Sequence, residues 1–118
     1  MMGGMKTMAE KIINIAADFS KTPGGRYLTD GPASGEDFRE RLLIPALKDN
    51  QTVIVELDGT RGYPSSFLEE AFGGLVRKLD LSQAEFAKKV HLKASSAFSI
   101  YVQDIENYVK QTADARLS

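Results

Sequence analysis

Apolar positions along the chain come in two kinds, short β-branched runs and residues at helical spacing, and the two kinds alternate. Val53, Ile54, Val55 and Leu57 form a run of the length and composition of a strand covered on both faces. Shortly after it, Leu68, Ala71, Phe72, Leu75, Val76 and Leu79 fall at i, i+3, i+4, i+7, i+8 and i+11, one stripe of an amphipathic helix. Glu69, Glu70, Arg77 and Lys78 take the other side of that helix. Between strand and helix, Asp58-Gly59 and Gly62-Tyr63-Pro64 read as a loop, because Gly tolerates unusual backbone angles and Pro cannot donate to a ladder. Ser65-Ser66 opens the helix. With Ser66 as N-cap, Glu69 stands at N3 and completes a capping box.

The flanking pattern extends this alternation. Lys11–Phe19 reads as a first, central or near-central strand, with Ile13, Ile15 and Ala17 on one face and Ile12, Asn14 and Ala16 on the other. Ser20–Gly25 is a turn cluster, and Arg26-Tyr27-Leu28 reads as a short strand closing an edge hairpin. Ser34 then caps a helix whose buried stripe is Phe38, Leu42 and Ala46 with Leu43 and Leu47 beside them. Pro45 predicts a kink or an early end there, with a last turn leading to Asp49-Asn50. Gly73-Gly74 inside the central helix marks either close packing or a flat docking surface.

Ser82 and Glu85 form a second capping box for a short helix through Lys88, followed by a short strand, Val90-His91-Leu92. Ser95 or Ser96 opens a last helix with a stripe of Phe98, Tyr101, Ile105, Tyr108 and Thr112, fraying after Ala113. Residues 1–10 read as a flexible tail, and 11–118 as a single domain. The order of strands and helices is that of an α/β protein. Right-handed crossovers between parallel strands would bring the connections Thr22–Ser34 and Asp58–Ser66 together at the carboxyl edge of the sheet.

Composition narrows the chemistry. The chain of 118 residues is 42% apolar and 26% charged, ordinary for a folded, soluble protein. It has no Cys, which removes disulfides, thiolate catalysis and thiolate zinc sites. A single histidine, His91, removes multi-histidine metal sites and leaves little for a Ser-His-Asp triad; its alternation with Val90 and Leu92 reads as a sheet residue. A net charge of −1 gives no field favouring nucleic acid or anionic lipid, and no apolar run is long enough to span a bilayer. These properties predict a cytoplasmic protein without cofactor or metal.

The candidate functional residues gather around the serines. Ser65 and Ser66 either cap the helix and do nothing more, or carry phosphate, which a helix start favours through its dipole and free N–H groups. Arg26 and Arg61 lie in the two loops expected at this edge and are candidates for binding phosphate or a partner, against simple surface pairing with Asp30, Glu36, Asp37 or Asp58. Ser34, Asp58, Phe67 and Glu70 complete the expected contact surface, while Arg39 and Arg41 read as a solvated helix face. Glu56 is unusual in so apolar a strand and reads as an acid emerging at the sheet edge or paired with Lys or Arg. The Gly-rich stretch TPGGRYLTDGPASG lacks the spacing of a phosphate loop or dinucleotide fingerprint and reads as a turn.

The stretch VIVELDGTRGYPSSFL resembles the strand–loop–helix signature of STAS domains, the family of the bacterial anti-anti-sigma factors. Glu56 matches the strand acid, Gly59 the turn glycine and Ser65-Ser66 the paired serines, with Leu68 after them. Pro64 stands where the signature has Asp, and Phe67 where it has Gly. With GGR, SGEDFRE and SSFLEEAFGGL included, the chain is similar over most of residues 11–108 to a divergent bacterial STAS-like family of unassigned function. The resemblance implies a small mixed sheet with helices packed mainly on one face. It also implies a non-enzymatic regulatory module whose partner is a histidine-kinase-like ATPase or another signalling protein. Ser66 occupies the position resembling the serine phosphorylated in anti-anti-sigma factors. The competing reading is a nucleotide- or phosphate-binding protein, or an enzyme, using Arg26, Arg61, Ser65 and Ser66.

Overall fold

β1 (Glu10–Asn14), β2 (Thr52–Glu56) and β3 (Val90–Lys93) form a three-stranded sheet in the order β1-β2-β3, with both pairings parallel. The structure, a computed structural model, describes residues 9–117. The tail read at the start of the chain lies outside the described residues up to residue 8, and Glu10 already belongs to β1. Parallel neighbours need a long crossover, and helices fill both of them. Ile13, Val53, Val55 and Val90 point from the sheet into the helical layer and are buried. Their strand neighbours Ile12, Ile54 and His91 form a row across the other face, where Ile12 is 54% exposed. Helices packed on one face of an α/β sheet are thus what the structure has.

Two of the expected elements are corrected. β1 stops at Asn14 instead of running to Phe19, and Ile15–Asp18 forms a short helix, α1. The N–H of Ala17 donates to Asn14 Oδ1 (2.8 Å), and the N–H of Asn14 to Asp18 Oδ2 (2.9 Å), a cap that breaks a run otherwise fit for a strand. β1 is also an edge strand rather than a central one. Arg26-Tyr27-Leu28 is not a strand, and no hairpin forms. Asp30 Oδ2 accepts from the N–H groups of Arg26 (3.1 Å) and Tyr27 (2.8 Å), taking the donors a strand would need, and Leu28–Asp30 is a 3-10 turn. Among the described residues the sheet is therefore all parallel.

Helix α2 comprises Gly35–Phe38, a π turn at Arg39–Leu43, and Ile44–Asp49. Pro45 neither breaks nor ends it. A proline lacks the N–H for the carbonyl four residues back and crowds that carbonyl, and the π turn just before it relieves both conflicts. Helix α3 is built alike, with Ser65–Leu68, a π turn at Glu69–Gly73, and Gly74–Leu79, and ends at Asp80 in the left-handed region (φ 57°). Gly35 sets the approach of α2 to α3: a Cβ there would stand 2.5 Å from the Phe67 carbonyl oxygen. Phe19, Phe38, Phe67 and Phe72 fill the space between these helices and the sheet, with centroids 5.4–6.2 Å apart.

Helix α4 (Gln83–Lys89) has the expected capping box, with Glu85 N–H donating to Ser82 Oγ (3.0 Å) and Ser82 N–H to Glu85 Oε1 (2.8 Å). A 3-10 turn, Ser96–Phe98, leads into α5 (Ser99–Leu117), so the last helix continues past Ala113 instead of fraying. Arg116 holds its end by donating to the Leu81 carbonyl and pairing with Asp80 (2.8 Å). Ile105, Val109, Thr112 and Ala113 face the core.

Candidate functional site

The two strand-to-helix loops do meet, as the parallel order requires: the N–H of Arg61 donates to the Lys21 carbonyl (2.9 Å). At this edge the serines do not play the part of caps. Pro64, with φ −62° and ψ 147°, is the N-cap, and its carbonyl accepts from Phe67 (3.1 Å) and Leu68 (3.2 Å). Proline's fixed φ starts the helix two residues before the start that would make Ser66 the cap. Glu69, the expected capping-box partner, turns instead toward Arg26 and Arg77. Ser65 is exposed and Ser66 half-buried, and among the described residues neither hydroxyl has a protein partner. The exposed Arg61 guanidinium likewise has no ion-pair partner among the described residues.

Ser34, Phe67 and Glu70 do not contribute to an open contact surface. Ser34 is fully buried, and its Oγ accepts from the N–H of Asp37 (3.1 Å). The next donors of α2 are also taken, Gly35 by the Gly25 carbonyl and Glu36 by the Arg26 carbonyl, each at 3.0 Å. That helix start is closed to an anion. Phe67 is fully buried against Phe19, Phe38 and Tyr63, because the position given to Gly in the STAS signature is filled here by a core aromatic. Beside it, the Tyr63 hydroxyl donates to the Leu57 carbonyl (2.7 Å), and burial pushes its pKa up to about 12.

Glu70 is buried, at 8% exposure, and anchors an ion network between α2 and α3. Arg39, expected in solvent, is 7% exposed; its Nη1 donates to Glu70 Oε2 and to the Glu70 carbonyl, each at 2.7 Å. A π turn leaves a carbonyl without its usual α-helical donor, and Arg39 supplies one. Arg39 Nε also donates to Glu40 Oε2 (2.8 Å), and Lys78 reaches Glu40 (3.3 Å). Arg77 Nη1 pairs with Glu69 Oε2 (2.6 Å), and Arg77 Nη2 lies 3.6 Å from Glu70. Arg26 Nη1 bridges Glu69 and, at 3.4 Å, Glu70. Burial pushes the Glu69 carboxyl up, but hydrogen bonds from Arg77 and Arg26 outweigh it and hold it below the usual carboxylate range. Burial pulls Arg39 down, yet the bonds to Glu40 and Glu70 raise it further above its ordinary value. Arg41 is the solvated residue expected, paired with Asp37 and lying 5.9 Å from the Phe19 ring centroid.

The Gly73-Gly74 pair was the sequence signal for this network. A Cβ on Gly74 would stand 2.2 Å from Arg39 Nη1, and one on Gly73 would stand 2.8 Å from Glu69 Oε2 and 3.1 Å from Thr112 Oγ1. The close packing is against charged groups and α5. On the open face of the sheet, Asn14, Glu56, Asp58, Lys93 and Ser95 line a shallow cleft of about 580 Å³. Glu56 emerges there at the strand end, as expected, and accepts from Asn14 Nδ2 (3.3 Å); Asp58 Oδ1 accepts from the N–H of Ser95 (2.9 Å). His91 sits on the same face opposite Ile54. Among the described residues no helix is long and apolar enough to cross a membrane, and no group of acidic residues and histidine has the arrangement of a metal site.

Residues 34–97 match the STAS-like domain of unknown function (DUF4325), a span of more than half the chain, and the chain belongs to that family. No curated protein and no solved structure matches it.

Proposed function

From this family membership we propose that the chain is a cytoplasmic, non-enzymatic regulatory module that docks a protein partner through the Asp58–Ser66 loop and the start of α3. Phosphorylation of Ser66, or of Ser65, is its switch. One observation carries the proposal: Pro64 starts the helix, so two serines stand at an accessible helix start with no structural duty. A hydroxyl unused by the fold is free to be modified, and phosphate there meets the N–H groups of Ser65 and Ser66, which have no acceptor among the described residues. Arg61 stands ready in the adjoining loop for an acidic group or a phosphate. The partner class is a histidine-kinase-like ATPase or another signalling protein.

A nucleotide- or phosphate-binding enzyme at the same edge has weaker support. Ser34 is buried and the start of α2 is closed. His91 is held on β3 opposite Ile54, so no imidazole serves the serines. The test is to purify the protein from its native host, map phosphoserine by mass spectrometry, and measure affinity of the co-purifying partner for wild type, Ser66→Ala and Ser66→Glu. Tight binding by wild type and Ser66→Ala, lost in Ser66→Glu, is the expected result. Equal binding by all three, with no phosphoserine, overturns the switch.

A further inference from the structure

The ion network beside the serines leaves one guanidinium only partly used. Arg26, Arg39, Arg77 and Lys78 are linked to only Glu40, Glu69 and Glu70, four cations to three carboxylates. Arg26 is its least committed member. Only Nη1 of Arg26 is engaged, and among the described residues Nε and Nη2 have no acceptor. Its backbone meanwhile belongs to the other loop, since the Arg26 carbonyl accepts from Glu36 and its N–H is held by Asp30.

Helical geometry says which serine faces this guanidinium. At about 100° per residue, Ser66 lies ~60° from Glu69 and ~40° from Glu70 around the helix, one turn earlier. Ser66 is therefore in line with the gap that Arg26 bridges. Ser65 is ~140° from Glu70 by the same reckoning and stands on the far side of Glu69.

We infer that Arg26 is the receptor for a phosphate on Ser66, taking it through Nε and Nη2 while Nη1 stays on Glu69. The inference rests on the phosphoserine reading above, and it adds the residue that reads the mark and the reason Ser66 rather than Ser65 is the switch. A dianion placed one turn before two glutamates would otherwise be repelled, and the open Nε/Nη2 edge of Arg26 is what admits it. Bidentate capture fastens the loop carrying the exposed Tyr27 and Leu28 to the start of α3. Phosphorylation thus stiffens the docking edge as well as charging it.

The test installs phosphoserine by encoded incorporation in the full chain at position 66, and separately at 65, so no kinase or partner is needed. The phosphorus NMR signal is followed with pH. The second phosphate ionisation is expected about one pH unit lower at 66 than at 65, the effect of a neighbouring cation, and the difference is expected to vanish in Arg26→Gln. Trypsin cleavage after Arg26 is expected to slow several-fold when Ser66 is phosphorylated, a readout needing no Arg26 variant. Equal ionisation at both serines, an unchanged value in folded Arg26→Gln, or unchanged cleavage overturns the role of Arg26. Because the phosphate is installed, such a failure is distinct from finding no phosphoserine in the native protein.

Discussion

Arg39 occupies the space that a side chain on Gly74 would need: Nη1 stands 2.2 Å from the position of a Cβ there. The glycine of α3 and the arginine of α2 are one fitted pair, and the buried Arg39–Glu70 contact depends on the missing methyl group. Gly→Ala in a helix ordinarily gains up to about 1 kcal/mol. Here the sign reverses. Gly74→Ala is expected to destabilise by about 1–3 kcal/mol, the cost of overpacking. Gly35→Ala is expected to cost at least as much, since it meets the Phe67 backbone, which cannot swing aside as a side chain can. Urea midpoints of the two variants against wild type give the comparison.

Breaking the buried pair is a separate test. Glu70→Ala removes the more buried of the two carboxylates that hold Arg39 and is expected to cost about 3 kcal/mol, comparable to Leu75→Ala in the core at about 2–5 kcal/mol. The double variant Arg39→Met/Glu70→Leu is expected to cost less than the two single losses together. Chemical denaturation of the cycle measures this; additive losses would show that the pair is not coupled.

The serines separate capping from signalling. Ser65→Ala and Ser66→Ala are each expected to change stability by less than about 0.5 kcal/mol, because neither side chain caps α3. Ser82→Ala, which removes a formed cap on α4, is expected to cost about 1 kcal/mol. Thermal melts of the three variants suffice. A loss at Ser66 equal to that at Ser82 would return it to a capping role.

Acid is expected to weaken the fold through Glu69, Glu40 and Asp37. Glu69 is held low against burial by its Arg77 and Arg26 bonds, Glu40 chiefly by Arg39, and Asp37 by Arg41. A carboxyl whose folded pKa is depressed contributes stability above its unfolded pKa and loses it as pH falls through the folded value. Stability is therefore expected to hold above roughly pH 4.5 and to drop below it. Denaturation midpoints taken between pH 7 and 3 follow the loss, and Glu69→Gln is expected to flatten it.

Tyr63 gives the opposite limb. Its folded pKa is raised to about 12 from 10.0, so its contribution is complete below pH 10 and is lost as pH rises toward 12. Absorbance titration of the phenolates in wild type and Tyr63→Phe identifies the late-titrating group.

Much of this structure is legible in residue spacing, and what is not has a physical reason. The β2 run, the buried side of α3 from Leu68 to Val76 and the Ser82 cap are governed by local rules that nothing else contradicts. Glu70 and Leu79 illustrate the failure: spacing puts the first in water and the second in the core, yet Glu70 is 8% and Leu79 39% exposed. Glu70 is taken into the interior by its pair with Arg39 from the neighbouring helix, and Leu79 stands at the helix end, one residue before the left-handed Asp80. Asn14 and Asp30 divert neighbouring N–H groups to their side chains, which residue periodicity does not register. At the site, the accessible serines could be read from the motif, but Pro64 displacing Ser66 from the cap is a shift of only two residues. Arg39 was unreadable because its partner lies 31 positions away.

The parallel order of the sheet also dictates how the chain must find its native state. Asn14 meets Glu56 across 42 positions, and Glu56 meets Lys93 after a further long excursion through α3 and α4. Each strand reaches the one made before it only across a helical crossover, so each ladder waits for a large loop to close. During synthesis β1 emerges long before β2, and the last strand can dock only once α3 has been made. Refolding is therefore expected on the slower side for a chain this size, with α2 and α3 formed early and the sheet completed last.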